Sequence, residues 1–326
     1  MTTTSLLFIG GTGQISASCV REACANGIAV TVLNRGTTLS RELPAGVEVI
    51  TADIRDEDAV RTALGDRRFD SIADFITFTP AEVSRAVRLF GDRTEQYVFI
   101  SSASAYQKPP ARLPIDEATP LHNPFWQYSR DKIACERLLR DEHAAGRIRV
   151  TVVRPSHTYD RTQVPLLGGW TAIDRMRRGL PIVLHGDGTS PWAITHSDDF
   201  ATAFVHVLGA PEAIGEAFNI MSPELLTWNS IALDLADAAG VEVPHLVHRT
   251  THDLVQEAPV WDEALRGDRS HAAIFDTSKI ESLAPGWAPR IPFAEGARRI
   301  LAWHDADASR RVVDRDVDAL YDRLTA

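Results

Sequence analysis

The feature that most constrains the fold is a glycine-rich segment near the N-terminus, Gly10-Gly11-Thr12-Gly13-Gln14-Ile15-Ser16. It follows the apolar run Leu6 to Ile9, and the residues after it have the hydrophobic spacing of a helix. Glycines at such a junction let the backbone approach a pyrophosphate, which the free N–H groups at the helix N-terminus stabilise. Ser16 stands where a third glycine is usual and is small enough to keep helix and strand close. A tight turn with only a structural role is the alternative, but the position after the first strand favours dinucleotide binding.

From Ser5 to about Met221, short apolar runs rich in β-formers alternate with longer helical stretches. This alternation predicts an α/β protein with a doubly wound parallel sheet of the Rossmann type, covered by helices on both faces. The predicted strands are Leu6 to Ile9, Ala29 to Leu33, Val47 to Thr51, Ser71 to Phe75, Tyr97 to Ser101, Arg149 to Val153 and Ala217 to Met221. The predicted helices are Gln14 to Asn26, Glu57 to Leu64, Pro80 to Phe90 and Gln127 to His143.

Two later stretches, about 158–196 and 222–326, carry more Trp and Pro and lose the strict alternation. We expect them to form a smaller, discontinuous C-terminal substrate-binding domain. Residues 1–157 together with about 197–221 are then expected to form the dinucleotide-binding domain.

Composition excludes several kinds of partner. The formal net charge is -10, which disfavours binding to nucleic acid or to anionic membranes, since both need clustered cations. The three cysteines lack the spacing of a disulfide framework or a zinc site, and we expect no metal. The N-terminus has neither a basic region nor an apolar run long enough for a signal peptide or a membrane span, so we expect a cytoplasmic protein.

The end of the second predicted strand bears on cofactor choice. An acidic residue there would hold the adenine ribose of NAD, but the chain has Asn34-Arg35-Gly36. A guanidinium can pair with a 2′-phosphate, so Arg35 favours NADP over NAD, unless it is only a solvated loop residue. Asp53, after the third strand, is placed to accept from the adenine amino group or to lie in the N-cap region of the next helix.

A tyrosine and a lysine open the fourth predicted helix. Tyr128 and Lys132 are four residues apart, which puts both on one helix face, where the ammonium would lower the pKa of the phenol. Lysine is scarce, with 3 Lys against 31 Arg, so an ordinary surface pair is the weaker interpretation. Ser102, just after the fifth strand, is the best candidate to bind a substrate carbonyl oxygen, while Ser101 and Ser104 could be strand-end caps.

Together these motifs, with Val153-Arg154-Pro155, Gly186-Asp187-Gly188 and His196-Ser197-Asp198-Asp199, resemble the extended short-chain dehydrogenase/reductases, the NAD-dependent epimerase/dehydratase family. Asn34-Arg35-Gly36 and the segment Phe218 to Gly240 look most like the subgroup of the chloroplast stem-loop-binding proteins. The resemblance implies that Tyr128 is the acid/base, that Lys132 binds the nicotinamide ribose and tunes Tyr128, and that Ser102 orients the substrate oxygen. The cofactor contacts it implies are Gly10, Gly11, Thr12, Gly13, Gln14, Ile15, Asn34, Arg35, Asp53, Ile54, Phe75, Ile76, Ser101, Tyr128, Lys132, Pro155 and His157.

The chain departs from the nucleotide-sugar epimerases of this family at two places. His157 and Trp192 stand where those enzymes usually have an Asn and an Arg that clamps a diphosphate. An indole supplies an apolar or stacking wall instead of a charge, so we expect a less charged substrate, unless Arg175 or Arg177 supplies the missing cation. Tryptophans in a second domain are also commonly core residues. The candidate substrate contacts are Ser104, His157, Trp170 and Trp192.

The resulting hypothesis is an NAD(P)-dependent oxidoreductase that transfers a hydride at a secondary alcohol or ketone of a small molecule, as a reductase, a dehydrogenase or an epimerase. A non-catalytic dinucleotide-binding scaffold or an RNA-associated protein is the alternative. Such a protein would have no use for Ser102, Tyr128 and Lys132 together, and an RNA-binding face should be basic. A homodimer is left open.

Overall fold

The structure, a computed structural model, describes residues 5–36 and 41–326. None of its helices has the length and apolar content needed to span a bilayer. The strands are β1 (Ser5–Ile9), β2 (Ala29–Asn34), β3 (Glu48–Thr51), β4 (Ser71–Asp74), β5 (Tyr97–Ile100), β6 (Val150–Pro155), β7 (His157–Tyr159), β8 (Ile182–His185), β9 (Pro191–Trp192), β10 (Ile194–His196), β11 (Ala217–Ile220), β12 (Leu226–Thr227) and β13 (Leu246–Arg249). The helices are α1 (Gln14–Ala25), α2 (Glu57–Leu64), α3 (Pro80–Phe90), α4 (Gln127–Ala144), α5 (Trp170–Arg177), α6 (Ser197–Val207), α7 (Trp228–Ala238), α8 (Thr251–Glu257), α9 (Asp262–Ala264), α10 (Ser278–Leu283), α11 (Phe293–Asp305) and α12 (Arg315–Thr325).

The central element of the described chain is a seven-stranded sheet with the order β11-β6-β5-β4-β1-β2-β3, in which every pairing is parallel. The chain moves outward from β1 in both directions, so the strand order reverses between β1 and β4. Ligands bind outside the carboxyl ends of the strands at such a point. The predicted doubly wound Rossmann fold is confirmed, and the predicted strand and helix ends lie within two residues of those in the structure.

The sheet forms because its central strands are mostly apolar and are covered on both faces, whereas the edge strand β3 is largely exposed. Val20 of α1 and Phe204 of α6 pack on one face of the sheet. Leu64 of α2, Phe90 of α3 and Leu139 of α4 pack on the other. Strands buried on both faces read as continuous rather than alternating hydrophobic runs, which is why they are visible in the sequence.

A separate apolar core lies among residues between Tyr159 and Leu324. Helices α7 and α11 pack there, together with the small parallel pair β8 and β13. The helix α10 is different, because Ile280 packs on the sheet core beside α6 and β11. This helix lies in the segment that the sequence analysis gives to the substrate domain, but its apolar side belongs to the sheet.

Candidate active site

A cavity of about 520 Å³ lies at the edge of the sheet where β1 to β4 end, and we call it the glycine cavity. It combines the glycine turn with the loops that follow β2, β3 and β4. The predicted cofactor residues on its wall are Gly10, Thr12, Gly13, Asn34, Arg35, Asp53, Ile54 and Ile76.

The glycine turn is shaped for a close approach of backbone to ligand. Gly10 has a φ of 82°, and a Cβ placed on it would stand 2.3 Å from Cγ2 of Ile76. The Ser16 hydroxyl accepts from Gly13 N at 2.8 Å and donates to Gly10 O at 2.5 Å, so serine closes the turn in place of a third glycine. Because α1 begins at Gln14, its open N–H groups lie beside this cavity, as a pyrophosphate requires.

The part of the glycine cavity that is formed by the loops after β2 and β3 carries two arginines, Arg35 and Arg55. Arg35 is exposed at its rim, and the Nδ2 of Asn34 is buried without a hydrogen-bond partner among the described residues. Asp53 accepts from the guanidinium of Arg55 at 2.6 and 3.0 Å, which holds the pKa of Asp53 well below its usual range. Asp56, rather than Asp53, is the N-cap of α2. Arg55, which is not among the predicted site residues, also lies on this wall, where it pairs with Asp53.

Two predicted cofactor residues, Phe75 and Ser101, have side chains that contact other protein groups. Phe75 stacks on Phe8, with ring centroids 5.9 Å apart, and contacts Phe204 edge-on at 5.6 Å. The Ser101 hydroxyl donates to the buried carboxylate of Glu136 at 2.5 Å. Neither side chain lies on the wall of the glycine cavity, so any contact of Phe75 or Ser101 with a cofactor stays a prediction that only their backbone atoms could meet.

Gly11, Gln14 and Ile15 do not line the glycine cavity. Their contacts hold the glycine turn and the start of α1 in position. A Cβ on Gly11 would come within 2.8 Å of both methyl groups of Val32, so this glycine allows the turn to pack on β2. Gln14 donates from Nε2 to Thr158 O at 2.9 Å, which ties the start of α1 to β7. Ile15 packs on the sheet core.

A second cavity, of about 390 Å³, lies beyond the ends of β5 and β6, and we call it the tyrosine cavity. Its wall combines residues that follow the sheet strands with residues of the second core. The predicted catalytic and substrate residues on it are Ser102, Ser104, Tyr128, His157 and Trp192, and the predicted cofactor contact Pro155 lies there too.

The Ser102 hydroxyl belongs to a chain of three hydroxyls. Ser102 caps the short turn Ala103–Ala105 and lies 2.9 Å from the hydroxyl of Ser104. Ser129 on α4 donates to Ser104 at 2.8 Å. Because the Ser104 oxygen receives that hydrogen, its own hydrogen can point to Ser102, which leaves the Ser102 hydrogen for an acceptor in the tyrosine cavity.

Tyr128 stands in the first turn of α4 with its ring 5.0 Å from that of Trp126. Burial raises the pKa of Tyr128, the Ser102 hydroxyl lowers it, and the charge of Asp268 raises it again, so that the net change is upward. The expected lowering of this pKa by Lys132 is therefore wrong in this structure. The ammonium lies 5.9 Å from the centre of the Tyr128 ring and is engaged elsewhere.

Lys132 is buried at the end of the sheet. Its Nζ donates to Thr77 O and Ile100 O, both at 2.7 Å, and burial lowers its pKa to about 8, against the charge of Asp74. Asp74 in turn accepts from the Thr77 hydroxyl at 2.8 Å and from the Tyr97 hydroxyl at 2.7 Å. Asp74 therefore fixes the turn that binds Lys132. Its negative charge also raises the pKa of Lys132, and after burial it has the largest effect on that pKa.

His157 and Trp192, the two positions predicted to depart from the nucleotide-sugar epimerases, lie together. His157 meets Trp192 edge-on, with ring centroids 6.2 Å apart, and burial lowers the pKa of His157 to about 3. It is thus neutral near pH 7 and supplies no cation. Trp192 packs on Trp228 at 4.9 Å, and its Nε1 is buried without a hydrogen-bond partner in the part of the chain that the structure describes.

Trp170 lies away from the tyrosine cavity. It stacks on His304 at 4.4 Å and lies under the guanidinium of Arg177 at 5.4 Å. Its ring lies in the second core, so the structure does not bring Trp170 to the tyrosine cavity with the other predicted substrate contacts. The two arginines considered as substitute cations are also engaged elsewhere: Arg177 pairs with Asp305 at 2.6 Å, and Arg175 is buried against two carboxylates of α12.

A cation that the sequence analysis missed does line the tyrosine cavity. Arg269 ends a π-helical turn, Leu265–Arg269, and its Cζ lies 5.1 Å from the centre of the Trp228 ring. Its neighbour Asp268 pairs with Lys108 at 3.0 Å. The charged residues around Gly267 can be read from the sequence. The π-helical geometry of the turn cannot be predicted from it, because five residues are too few for a hydrophobic periodicity.

Comparison with known proteins agrees with the family resemblance found in the sequence. The model of the "NAD dependent epimerase/dehydratase family" matches residues 6–220. The 2'-dehydrokanamycin reductase of Streptomyces kanamyceticus is 26% identical over 88% of this chain and 81% of its own. The chloroplast stem-loop binding protein of 41 kDa b of Arabidopsis thaliana is 28% identical over 74% of this chain and 65% of its own.

Solved structures agree on the fold. Epimerase Mth375 of Methanothermobacter thermautotrophicus superposes with a TM-score of 0.77 at 16% identity, over 95% of this chain and 94% of its own. UDP-glucose 4-epimerase of Thermus thermophilus in complex with NAD superposes with a TM-score of 0.71 at 21% identity, over 92% and 98%.

Proposed function

Because this chain belongs to the NAD dependent epimerase/dehydratase family, we propose that it is an NADP-dependent reductase that converts a ketone of a compact, non-nucleotide substrate into a secondary alcohol. The observation that carries the proposal is the tyrosine cavity, where Ser102 and Tyr128 line one wall and Lys132 lies one helical turn from Tyr128. A binding protein without catalysis would not need an acid and a hydroxyl donor on the same wall.

The charges of the glycine cavity support NADP. The end of β2 carries Asn34 and Arg35 in place of the acid that holds the ribose diol in an NAD site. Arg35 then remains as a guanidinium at the rim of the cavity. A 2′-phosphate is the acceptor that suits such a group, and the buried amide of Asn34 supplies a further donor beside it.

The proton chemistry of the tyrosine cavity suits reduction. When bound, the nicotinamide supplies the hydride. Tyr128 keeps its proton at neutral pH, since a tyrosine has a pKa of about 10 and burial raises the pKa of Tyr128 further, so it can donate that proton to the substrate oxygen as it becomes an alkoxide. Ser102 donates a hydrogen bond to the same oxygen, and the chain through Ser104 orients its hydrogen. Lys132 is protonated at neutral pH and holds its place at the sheet edge through two carbonyls.

The size and the polarity of the tyrosine cavity support a compact substrate. Its volume of about 390 Å³ lies near the lower end of the range of about 300–1,000 Å³ for small-molecule sites. Trp192 stands where a diphosphate-binding arginine is usual, and His157 is neutral. One relative is named as a reductase of 2'-dehydrokanamycin, which is not a nucleotide sugar by that name.

An epimerase is the second candidate, favoured by the fold likeness to UDP-glucose 4-epimerase in complex with NAD. An epimerase returns the hydride within each turnover and can keep its cofactor, whereas a reductase must exchange it. An RNA-associated role, suggested by the stem-loop binding relative, has the net charge of -10 against it.

The test is a titration of NADPH and NADH against the purified protein, followed by nicotinamide fluorescence. An additional charge-assisted contact is worth about 1.5–3 kcal/mol, so we expect NADPH to bind at least about tenfold more tightly than NADH. Mass spectrometry of the purified protein should find no retained cofactor. Equal affinities, or NAD retained through purification, would overturn the reductase in favour of the epimerase.

A further inference from the structure

A buried ion pair joins the helix that carries Tyr128 to the end of the sheet. Glu136 lies on α4, about two turns after Tyr128, and accepts from the Nε and the Nη2 of Arg154 on β6 at 3.0 and 2.6 Å. The side chain of Glu136 is 2% exposed and that of Arg154 is 6% exposed. Removing two charges from water is costly, and apolar residues of similar volume are often at least as stable in such a place. Stability alone therefore does not account for this pair.

Both ends of the segment 101–106 are attached to this ion pair. At the start of the segment, the Ser101 hydroxyl donates to the Oε1 of Glu136 at 2.5 Å. At its end, the Tyr106 hydroxyl accepts from the Nη1 of Arg154 at 2.9 Å. Between the two attachments lies the short turn whose hydroxyls lead to the tyrosine cavity. The ion pair therefore holds the segment at both ends, and we call the pair with its two attachments the Glu136 clamp.

The hydrogen bonds of the Glu136 clamp continue to a neighbouring strand. Both carboxylate oxygens of Glu136 accept from Arg154, and the Tyr106 hydroxyl donates onward to the Oδ1 of Asn219 on β11 at 2.7 Å. The backbone N–H of Asn219 donates to the Oε1 of Glu117 at 2.8 Å. A buried polar network whose members are satisfied is rigid and favours a single arrangement.

The Glu136 clamp sets the position of Ser102 relative to Tyr128. Ser102 directly follows the serine that donates to Glu136, and Tyr128 lies on the same helix as Glu136. One turn earlier on this helix, Lys132 donates from its Nζ to the carbonyl of Ile100 at 2.7 Å. Two successive turns of α4 are thus bound to the last residues of β5 and the one after it. A misplacement of about 1 Å at a reacting group can cost about 10²-fold in rate, so such a connection has a direct bearing on catalysis.

We propose that Glu136 is a positioning residue for the reduction of the ketone. Through Ser101 and Arg154 it holds the Ser102 hydroxyl at the distance from Tyr128 at which both groups donate to one substrate oxygen. Glu136 is not on the wall of the tyrosine cavity, so it acts on the reaction through Ser102. This inference rests on the proposed function, since it names a further residue that the same reaction needs.

The test is a double-mutant cycle between Glu136→Gln and Ser102→Ala, followed by NADPH oxidation with cyclohexanone and with 4-oxocyclohexanecarboxylate. The amide has one acceptor oxygen in place of two, so it cannot hold Arg154 and Ser101 as the carboxylate does. We expect Glu136→Gln to lose at least about tenfold in kcat, with KM and NADPH affinity within about twofold of the wild type. Ser102→Ala should lose about 10²–10³-fold, as removal of one such donor does. The double variant should be no slower than Ser102→Ala, because the clamp acts through that hydroxyl.

Two further variants separate positioning from folding. Glu142→Gln is the matched control, because Glu142 lies on the same helix and pairs with the exposed Arg147; its kcat should equal that of the wild type. The combined variant Glu136→Met and Arg154→Met replaces the ion pair with apolar side chains, which such buried places accept. It should unfold at a midpoint close to that of the wild type and still lose at least about tenfold in kcat.

A loss in the double variant equal to the product of the two single losses would overturn the proposal, because Glu136 would then act independently of Ser102. Full kcat in Glu136→Gln or in the methionine variant, or an NADPH affinity that falls as far as kcat does, would overturn it as well. So would a failure of both variants to fold, which would make the ion pair structural. No oxidation of NADPH by the wild type with either ketone would instead refute the proposed function, and the clamp would then have no reaction to serve.

Discussion

Lys132 gives the most direct physical prediction, because a buried ammonium lowers stability in a pH-dependent way. We compare the wild type with Lys132→Met. The fall of the Lys132 pKa from 10.5 to about 8, at about 1.4 kcal/mol for each pH unit, corresponds to about 3 kcal/mol. Between pH 8 and 10.5 the unfolded chain binds a proton that the folded protein has released, so the free energy of unfolding of the wild type rises with pH over that window.

The variant has no such group, so the wild type should gain up to about 3 kcal/mol relative to it between pH 8 and 10.5, with no relative change below pH 7. Urea unfolding followed by tryptophan fluorescence at intervals of one pH unit measures this difference. The matched control is Lys279→Met, which removes a partly exposed lysine that pairs with Glu216. If the wild type and Lys132→Met keep a constant difference across the window, the inferred burial cost of Lys132 is wrong.

Three further predictions concern the glycine cavity and the turn that binds Lys132. Arg35→Asp should reverse the preference toward NADH, measured as the ratio of the two dissociation constants; an unchanged ratio removes Arg35 from the account. Gly10→Ala should cost at least about 1–3 kcal/mol and abolish NADPH binding, because its φ is 82° and its Cβ would stand 2.3 Å from Ile76; wild-type affinity in this variant would contradict the cavity. Asp74→Asn removes a negative charge that raises the Lys132 pKa, so the pH above which NADPH affinity declines should move from about 8 to a lower value. A profile that does not move would show that Asp74 acts only on the turn.

The sequence predicts the sheet well because both faces of it are buried. Residues such as Leu7, Phe8 and Val98 must be apolar wherever helices cover both sides, so short continuous apolar runs mark the strands. The glycine turn was equally visible, because its conformation and its clearance from Ile76 restrict the residue at position 10 to glycine. Both features depend on residues that are close together in the sequence, so a single sequence is enough to predict them.

The direction of individual side chains at the sheet edge could not be read in this way. Phe75 and Ile76 are adjacent and both apolar, yet Phe75 enters the core and Ile76 lines the glycine cavity. Trp170 and Trp192 look alike in the sequence, but only Trp192 reaches the tyrosine cavity. Arg269 depends on a π-helical turn whose register is set by tertiary contacts with Trp228. The direction of each of these side chains depends on which helix or loop packs against it in the folded protein.

The central claim is that Tyr128 protonates the oxygen of a ketone that NADPH reduces. It is tested most directly by NADPH oxidation at 340 nm with cyclohexanone and 4-oxocyclohexanecarboxylate, comparing the wild type with Tyr128→Phe. We predict turnover by the wild type, a loss of about 10²–10⁴-fold in Tyr128→Phe, and unchanged NADPH affinity. Equal rates in the two proteins, or no oxidation of NADPH by the wild type with either ketone, would contradict the account.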